Sequence, residues 1–125
     1  MSNGKAILVY LLMLVGHVAH ILEETWGRFW LIDTFYGLGW FLVANWVLFC
    51  LPVAVFYFVL LEKRWALYLG MIYAGIMTLN GAGHNIATSV TGRYFDDFAG
   101  GYTGIGLLLI GPPMIYYLRK GMPAN

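Results

Sequence analysis

Two histidines and two carboxylates share one short stretch near the start of the chain: His17, His20, Glu23 and Glu24. The residues before them, 6–16, carry no charge and read as part of a membrane-embedded helix. Ionisable side chains at membrane depth are costly, so they usually pair, face protein or water, and serve a function. At 100° per residue, the four side chains lie within about 120° of a helical wheel and rise roughly 10 Å. The spacing therefore predicts one polar stripe, and the stripe predicts a site.

The residue types in this stripe fit two kinds of chemistry. Neutral imidazole and carboxylate are the ligands of zinc and of non-haem iron or manganese sites. The same groups also serve general acid–base catalysis and proton relays. The alternative is a helix end whose charges lie in the headgroup region and whose histidines bond backbone carbonyls. Clustering on one face favours a working site over that alternative.

Composition places the chain in a membrane. It has 125 residues, which suits a single domain, 1–125, and it is 61% hydrophobic and only 10% charged, with a mean hydropathy of +0.74. A net charge of +1 and the absence of a basic run argue against nucleic acid as a partner. The single cysteine, Cys50, cannot form a disulfide within one chain.

Four apolar segments predict an all-α, polytopic membrane four-helix bundle. The predicted spans are about 6–22, 38–61, 65–90 and 101–118. Pro52 is predicted to kink the second span, and Pro112-Pro113 to bend or break the fourth near its end. The hairpin between the second and third spans is very short.

The basic residues predict the orientation of these spans. Five of them fall on one side of a four-span protein: Lys5, Lys63, Arg64, Arg119 and Lys120. Arg28 and Arg93 fall on the other side. The positive-inside rule then places both termini in the cytoplasm, in a cell (inner) membrane.

The third span carries a second polar pair, Asn80 and His84, which share a helix face. His84 lies roughly 28 Å along this span, in the outer half of the bilayer, as does the end of the first span. The two polar stripes are therefore predicted to share a pocket, although interhelical hydrogen bonding is an alternative role for Asn80. Gly81 and Gly83 are predicted to let the third span approach the first. Gly100 and Gly104 predict a packing face or a homo-oligomer contact.

The motif His20-Ile-Leu-Glu23-Glu24 near the end of a first span resembles the small integral-membrane family named for its HXXEE motif. Asn80-Gly-Ala-Gly-His84 resembles the asparagine–histidine segment of that family, and Thr91-Gly-Arg-Tyr94 the stretch after it. The family's Tyr-x-Pro-Gly element corresponds to Phe98-Ala-Gly-Gly101, which keeps only the glycine. The resemblance implies a membrane location and a site, not a particular reaction.

The first functional hypothesis is a metal-dependent membrane enzyme acting on a lipid or another apolar substrate. The candidate ligands are His17, His20, Glu23, Glu24 and His84, and the candidate catalytic residues are Glu23, Glu24, His84 and Asn80. Zinc would support hydrolysis by lowering the pKa of bound water to about 7. Iron or manganese would support oxidation, and the ligand types do not choose between these metals.

Three other functions remain open from the sequence. The same residues could perform metal-free acid–base isomerisation or cyclisation of an isoprenoid-like substrate. The chain could instead be a transporter or an accessory subunit that binds an ion, a quinone or a pigment. It could also be a structural subunit whose histidines have no chemical role.

Overall fold

The structure, a computed structural model, describes residues 4–34, 37–93 and 96–122, with only the backbone of Asp96. Within these ranges the chain is helical apart from short turns and connections, and it contains no strand. The helices are α1 (Gly4–Trp26), α2 (Trp30–Thr34), α3 (Gly37–Leu60), α4 (Arg64–Thr91) and α5 (Gly101–Lys120), with a 3-10 helix at Asp96–Phe98. The predicted all-α class is confirmed. Tyr94, at the end of the stretch compared with the HXXEE family, lies outside the described residues.

The four long helices overlap the four predicted segments, with one difference that bears on the site. α1 extends to Trp26, beyond the predicted end at 22, so that Glu23 and Glu24 lie within the helix. Their side chains therefore have the fixed spacing of a helix rather than the freedom of a loop. Because Cβ positions three and four apart lie on the same face, His20 and Glu24 are direct neighbours.

Two of the described helices, α1 and α3, are long and apolar enough to cross a membrane. α3 is apolar on all sides, yet only 11% of its most apolar stretch is buried within the chain. Its exposed side chains include Trp40, Trp46 and Leu48. A helix of this composition in the core of a soluble protein would be mostly buried, and this one is not.

Two prolines that were predicted to bend or break the fourth span lie inside α5. α5 continues through Pro112 and Pro113 to Lys120, so these residues do not end it. Pro52 lies inside α3, and its carbonyl accepts a hydrogen bond of 2.9 Å from the Tyr10 hydroxyl of α1. This bond ties α1 to α3 at the level of the proline.

The most extensive helix contact joins α4 to α5, and glycines make it close. A Cβ atom added to Gly81 of α4 would overlap the carbonyl oxygen of Gly104 of α5. The prediction that Gly81 and Gly83 draw this helix toward the first one is therefore wrong. Gly81 faces α5, and nothing lies within 4 Å of a Cβ at Gly83, while α1 and α4 meet through long side chains such as those of Glu24 and His84. α1 packs instead against α5, and α3 packs against α4 and α1.

A buried apolar core fills the space between these helices at the end of the molecule away from the polar residues. Its fully buried large members are Tyr10, Met13, Leu107, Met114 and Leu118. Full burial of such a side chain away from water stabilises the folded state by about 1.5–3 kcal/mol. Close packing also holds the helices in a fixed register. The core therefore fixes where the polar residues of α1, α4 and α5 meet.

Candidate metal centre

Three buried side chains from two helices converge at one point. His20 and Glu24 lie one turn apart on α1, and His84 comes from α4. The Oε1 atom of Glu24 lies 3.1 Å from Nε2 of His84 and 3.5 Å from Nε2 of His20. His20 is 1% exposed, Glu24 is 6% exposed and His84 is 7% exposed, so all three residues are buried. We refer to His20, Glu24 and His84 as the triad.

The triad has the dimensions of a metal site. One donor atom from each residue lies within 4.8 Å of the donors of the other two. Two donors at 2.0–2.2 Å from a tetrahedral ion are roughly 3.4 Å apart, and the separations of 3.1 and 3.5 Å bracket that value. The donors of the two imidazoles lie within 4.8 Å of each other, and movement of the two rings toward each other would bring all three donors to one ion. His20, Glu24 and His84 could therefore hold a metal ion.

Gly100 forms the surface behind the two imidazole rings. Its φ of +116° is in the region that favours glycine, and it precedes the first residue of α5. A Cβ atom there would lie 2.5 Å from Nδ1 of His84 and 2.9 Å from Cε1 of His20. Gly100 is thus needed both for its backbone conformation and for the space that the histidines occupy. Gly100 and Gly104 are both buried in contacts within the chain.

Glu23 lies next to the triad in sequence but has a different partner. Its carboxylate accepts hydrogen bonds from the backbone N–H groups of Tyr102 (3.1 Å) and Thr103 (2.7 Å), at the start of α5. The N-terminus of a helix has unpaired N–H donors and a partial positive charge, which a carboxylate satisfies and neutralises. The structure therefore places Glu23 as a cap that joins α1 to α5, outside the group of possible metal ligands.

Thr103 connects this cap to the triad. Its hydroxyl donates to Oε2 of Glu23, and its oxygen lies 2.8 Å from Nδ1 of His20. A hydroxyl has one hydrogen, and the carboxylate of Glu23 takes it. The Thr103 oxygen can then only accept from His20, which puts the imidazole proton on Nδ1. This tautomer leaves the lone pair of Nε2 directed toward the triad, as a metal ligand requires.

Asn80 bonds the other ring nitrogen of His20, Nε2. Its Nδ2 atom lies 3.0 Å from Nε2 of His20, and an N–H donor at that distance agrees with an unprotonated Nε2. Two independent contacts, from Thr103 and from Asn80, thus assign the same tautomer to His20. An ion that used Nε2 of His20 would compete with the Asn80 amide for its lone pair.

His17 lies one turn before His20 but bonds elsewhere. Its Nδ1 atom lies 2.9 Å from the hydroxyl of Tyr73 on α4, and its ring packs against Phe49 of α3. Of the five ligand candidates in the sequence, the structure therefore brings together His20, Glu24 and His84. It gives Glu23 and His17 other partners.

A pocket of about 830 Å³ opens beside the triad. Its polar lining consists of His17, His20, Glu24, Asn45, Asn80 and His84. Its apolar lining consists of Phe29, Leu31, Trp40, Phe41, Ala44 and Leu48. The volume is in the range of about 300–1,000 Å³ that is typical of small-molecule sites, and a mostly apolar lining with a few convergent polar groups is typical too.

The sequence did not indicate three of the residues that shape this site. Phe29 has no polar group that would suggest a role in a site, yet its ring centroid lies 4.8 Å from that of His84. Thr103 and Gly100 belong to a helix start that is distant in sequence from both histidines. The only local signal was the pair Gly100 and Gly104, which predicted a packing face or a homo-oligomer contact but not its partner.

No protein-family model matches this chain, and no curated protein or solved structure matches it either.

Proposed function

We propose that this protein spans a membrane several times, binds one divalent metal ion at the triad, and acts with it on a lipid or another apolar substrate. The observation that carries the proposal is the placement of two histidines and one carboxylate, all buried, on the wall of a largely apolar pocket. Buried charged groups are expensive unless they are paired or bind a metal. The apolar lining supports a substrate of matching polarity.

The membrane part of the proposal is supported by α1 and α3, which are long and apolar enough to cross a bilayer. The exposed apolar surface of α3 would contact acyl chains. We further propose that α4 and α5 also cross the membrane, so that the protein is a four-helix bundle in the cell (inner) membrane with both termini in the cytoplasm. The distribution of lysine and arginine supports this orientation.

The donor set of the triad leaves coordination positions open for water or substrate. Two histidines and one carboxylate serve both zinc hydrolases and non-haem iron oxygenases, so zinc, iron and manganese are the metals to test. When bound, such an ion would supply either an activated water or oxidation chemistry. When Nε2 of His20 ligates an ion, the Asn80 amide loses this acceptor and becomes available to a substrate oxygen. The protein would accordingly be a metal-dependent hydrolase or oxidoreductase.

We also propose membership in the HXXEE family. The motif residues have distinct roles that together account for their spacing. His20 and Glu24 lie on the triad face, and Glu23 points to the start of α5. One carboxylate would thus serve the ion and the other the orientation of the histidine that binds it.

A metal-free acid–base function is the second candidate. One observation favours it: Oε1 of Glu24 lies between two imidazole nitrogens, at distances suited to proton transfer with His84 and close to it with His20. A carboxyl group flanked by two bases could move a proton on an isoprenoid-like substrate. This function needs no ion, so metal content separates it from the first candidate.

The experiment is metal analysis of the purified protein after loading with Zn²⁺, Fe²⁺ or Mn²⁺ and removal of excess ion. The parent protein is expected to retain one equivalent of one of these metals, and His20→Ala, Glu24→Gln and His84→Ala are expected to lose it. His17→Ala is the matched control from the same helix, since His17 bonds Tyr73 and not the triad, and it is expected to retain the metal. A parent protein that holds no metal under any loading condition would overturn the metal proposal and favour the acid–base function.

A further inference from the structure

The pocket beside the triad has two unlike walls. One wall, from α1 and α4, carries the triad and Asn80. The opposite wall is mainly α3, with Trp40, Phe41, Ala44 and Leu48. The one polar side chain of α3 in the lining, Asn45, donates to the Phe41 carbonyl of its own helix. An occupant that satisfies both walls must have a polar group on one side and an apolar body on the other. This requirement already excludes a purely polar metabolite and a plain hydrocarbon.

The length of the apolar wall limits the occupant to a narrow shape. From Trp40 to Leu48 the helix rises about 12 Å, well under the ~30 Å of a bilayer core. A pocket of about 830 Å³ with this length accommodates a small head and part of one chain. The remainder of a longer chain would extend out of the pocket.

The pocket is open along α3. Trp40 is 65% exposed and Leu48 is 58% exposed although both line it, and Ala44 between them is exposed as well. In the proposed membrane orientation these side chains face acyl chains. A chain that extends out of the pocket along α3 would therefore remain in the hydrocarbon, and the occupant would enter sideways from the bilayer.

The charges of the lining restrict the head group. No lysine or arginine lines the pocket among the described residues, and Glu24 lies in its polar wall. A phosphate or sulfate head would therefore have no lysine or arginine partner, and it would face the carboxylate of Glu24, which also offsets part of the charge of a bound divalent ion. The amide of Asn80 and the imidazoles suit an uncharged oxygen, such as a hydroxyl or a carbonyl.

We propose that this pocket binds a single-chain lipid with a small, uncharged, oxygen-containing head. The head lies at the triad, the first part of the chain lies along Trp40–Leu48, and the lipid enters laterally past α3. The inference rests on the proposed function, since it takes the metal site as the place of the head and the membrane as the source of the lipid. It adds the class of substrate and its route of entry.

The test uses full-length protein in lipid nanodiscs and a photoreactive hexadecanol with a diazirine in the middle of its chain. Labelled residues are located by mass spectrometry after irradiation. We compare Ala44→Trp, which places an indole inside the pocket, with Ala54→Trp, an exposed alanine on the same helix that does not line it. The metal content of each preparation is measured in parallel, and thermal denaturation of each variant is the separate check on folding.

Labelling is expected on α3 residues 40–48 and on the α1 and α4 residues across the pocket. Ala44→Trp should reduce this labelling about tenfold or more, the factor that about 1.4 kcal/mol of lost binding produces, and Ala54→Trp should leave it unchanged. Unlabelled hexadecanol should compete with the probe. Hexadecane, which lacks a head, and a lysophosphatidylcholine, which has a large charged head, should not.

Labelling spread evenly over all exposed faces, insensitive to Ala44→Trp and to hexadecanol, would overturn the proposal. So would equal competition by hexadecane, because the polar wall would then select nothing. The competition experiments use the unsubstituted protein and decide the matter even if Ala44→Trp does not fold. Specific labelling in a protein that binds no metal would refute the metal function alone, whereas bound metal with unspecific labelling would refute the lipid pocket alone.

Discussion

Replacing Thr103 by valine should weaken metal binding without removing any metal ligand. The valine has nearly the shape of threonine but lacks the hydroxyl that lies between Glu23 and Nδ1 of His20. The cap on α5 survives in part, because the backbone N–H groups of Tyr102 and Thr103 still donate to Glu23. The main change is therefore at His20, which loses the acceptor that holds its proton on Nδ1.

The magnitude follows from the burial of His20, which is 1% exposed. In the metal-free variant the ring can take the other tautomer, with its proton on Nε2, 3.5 Å from Glu24. Binding an ion through Nε2 forces the proton back to Nδ1, where it has no acceptor. A buried donor without a partner costs about 1–3 kcal/mol. The dissociation constant for metal should therefore rise about 5- to 150-fold.

The assay is titration of Zn²⁺ into the detergent-solubilised protein against a chromogenic chelator, with Co²⁺ absorption as a second measure of the ligand geometry. Thr103→Ser keeps the hydroxyl and should restore affinity close to that of the parent. Thr91→Val is the matched control, since the exposed Thr91 hydroxyl donates to the Ala87 carbonyl of its own helix and does not contact the triad. It should bind metal like the parent.

An unchanged dissociation constant in Thr103→Val would refute the tautomer reasoning. Failure of Thr103→Ser to restore affinity would also count against it, because the loss would then come from packing and not from the hydroxyl. A loss of the same size in Thr91→Val would show a general effect of valine on the protein.

Three further predictions test other contacts, two of them with a control substitution. Glu23→Gln removes the charge at the start of α5 and should lower the free energy of unfolding by about 0.5–2 kcal/mol, measured by thermal denaturation in detergent; an unchanged melting temperature would contradict the capping role. Gly81→Ala places a methyl group against the backbone of α5 and should lower the free energy of unfolding by about 1–3 kcal/mol. Its control, Gly83→Ala, places the methyl group in open space and should be neutral or stabilising. Equal melting temperatures of the two variants would argue against the close helix contact. Gly100→Ala and Gly92→Ala both strain a residue with positive φ, but only Gly100 touches the imidazole rings, so metal affinity should fall in the first variant alone.

Local patterns in the sequence were sufficient to predict the helices and the polar stripe. Long apolar runs predicted the four segments within a few residues because helix length and apolar composition are properties of contiguous sequence. The stripe on α1 was predictable for the same reason, since helical periodicity places residues four apart on one face. His84 was a candidate because it shares a face with Asn80, although its contact with Glu24 depended on how the helices pack.

The separation of neighbouring residues into different roles could not be read from the sequence. Glu23 and Glu24 are adjacent, have the same side chain and belong to the same motif, yet one caps α5 and the other lies between two imidazoles. Their roles depend on which helix each side chain faces, and that depends on how α1, α4 and α5 pack against one another. The sequence suggested that Gly81 faced α1, because a glycine permits a close approach without specifying its partner.

The sequence by itself determined that this chain is helical, apolar and equipped with imidazole and carboxylate groups on helix faces, because these features follow from composition and from a period of 3.6 residues. Only the tertiary structure decided which of these groups meet. It brought Thr103 and Gly100 to His20 across some eighty residues of sequence and turned Phe29 onto His84. It thereby reduced five ligand candidates to three. The physical reason is that ligand geometry depends on distances between helices, and those distances are set by packing of residues that are remote in sequence.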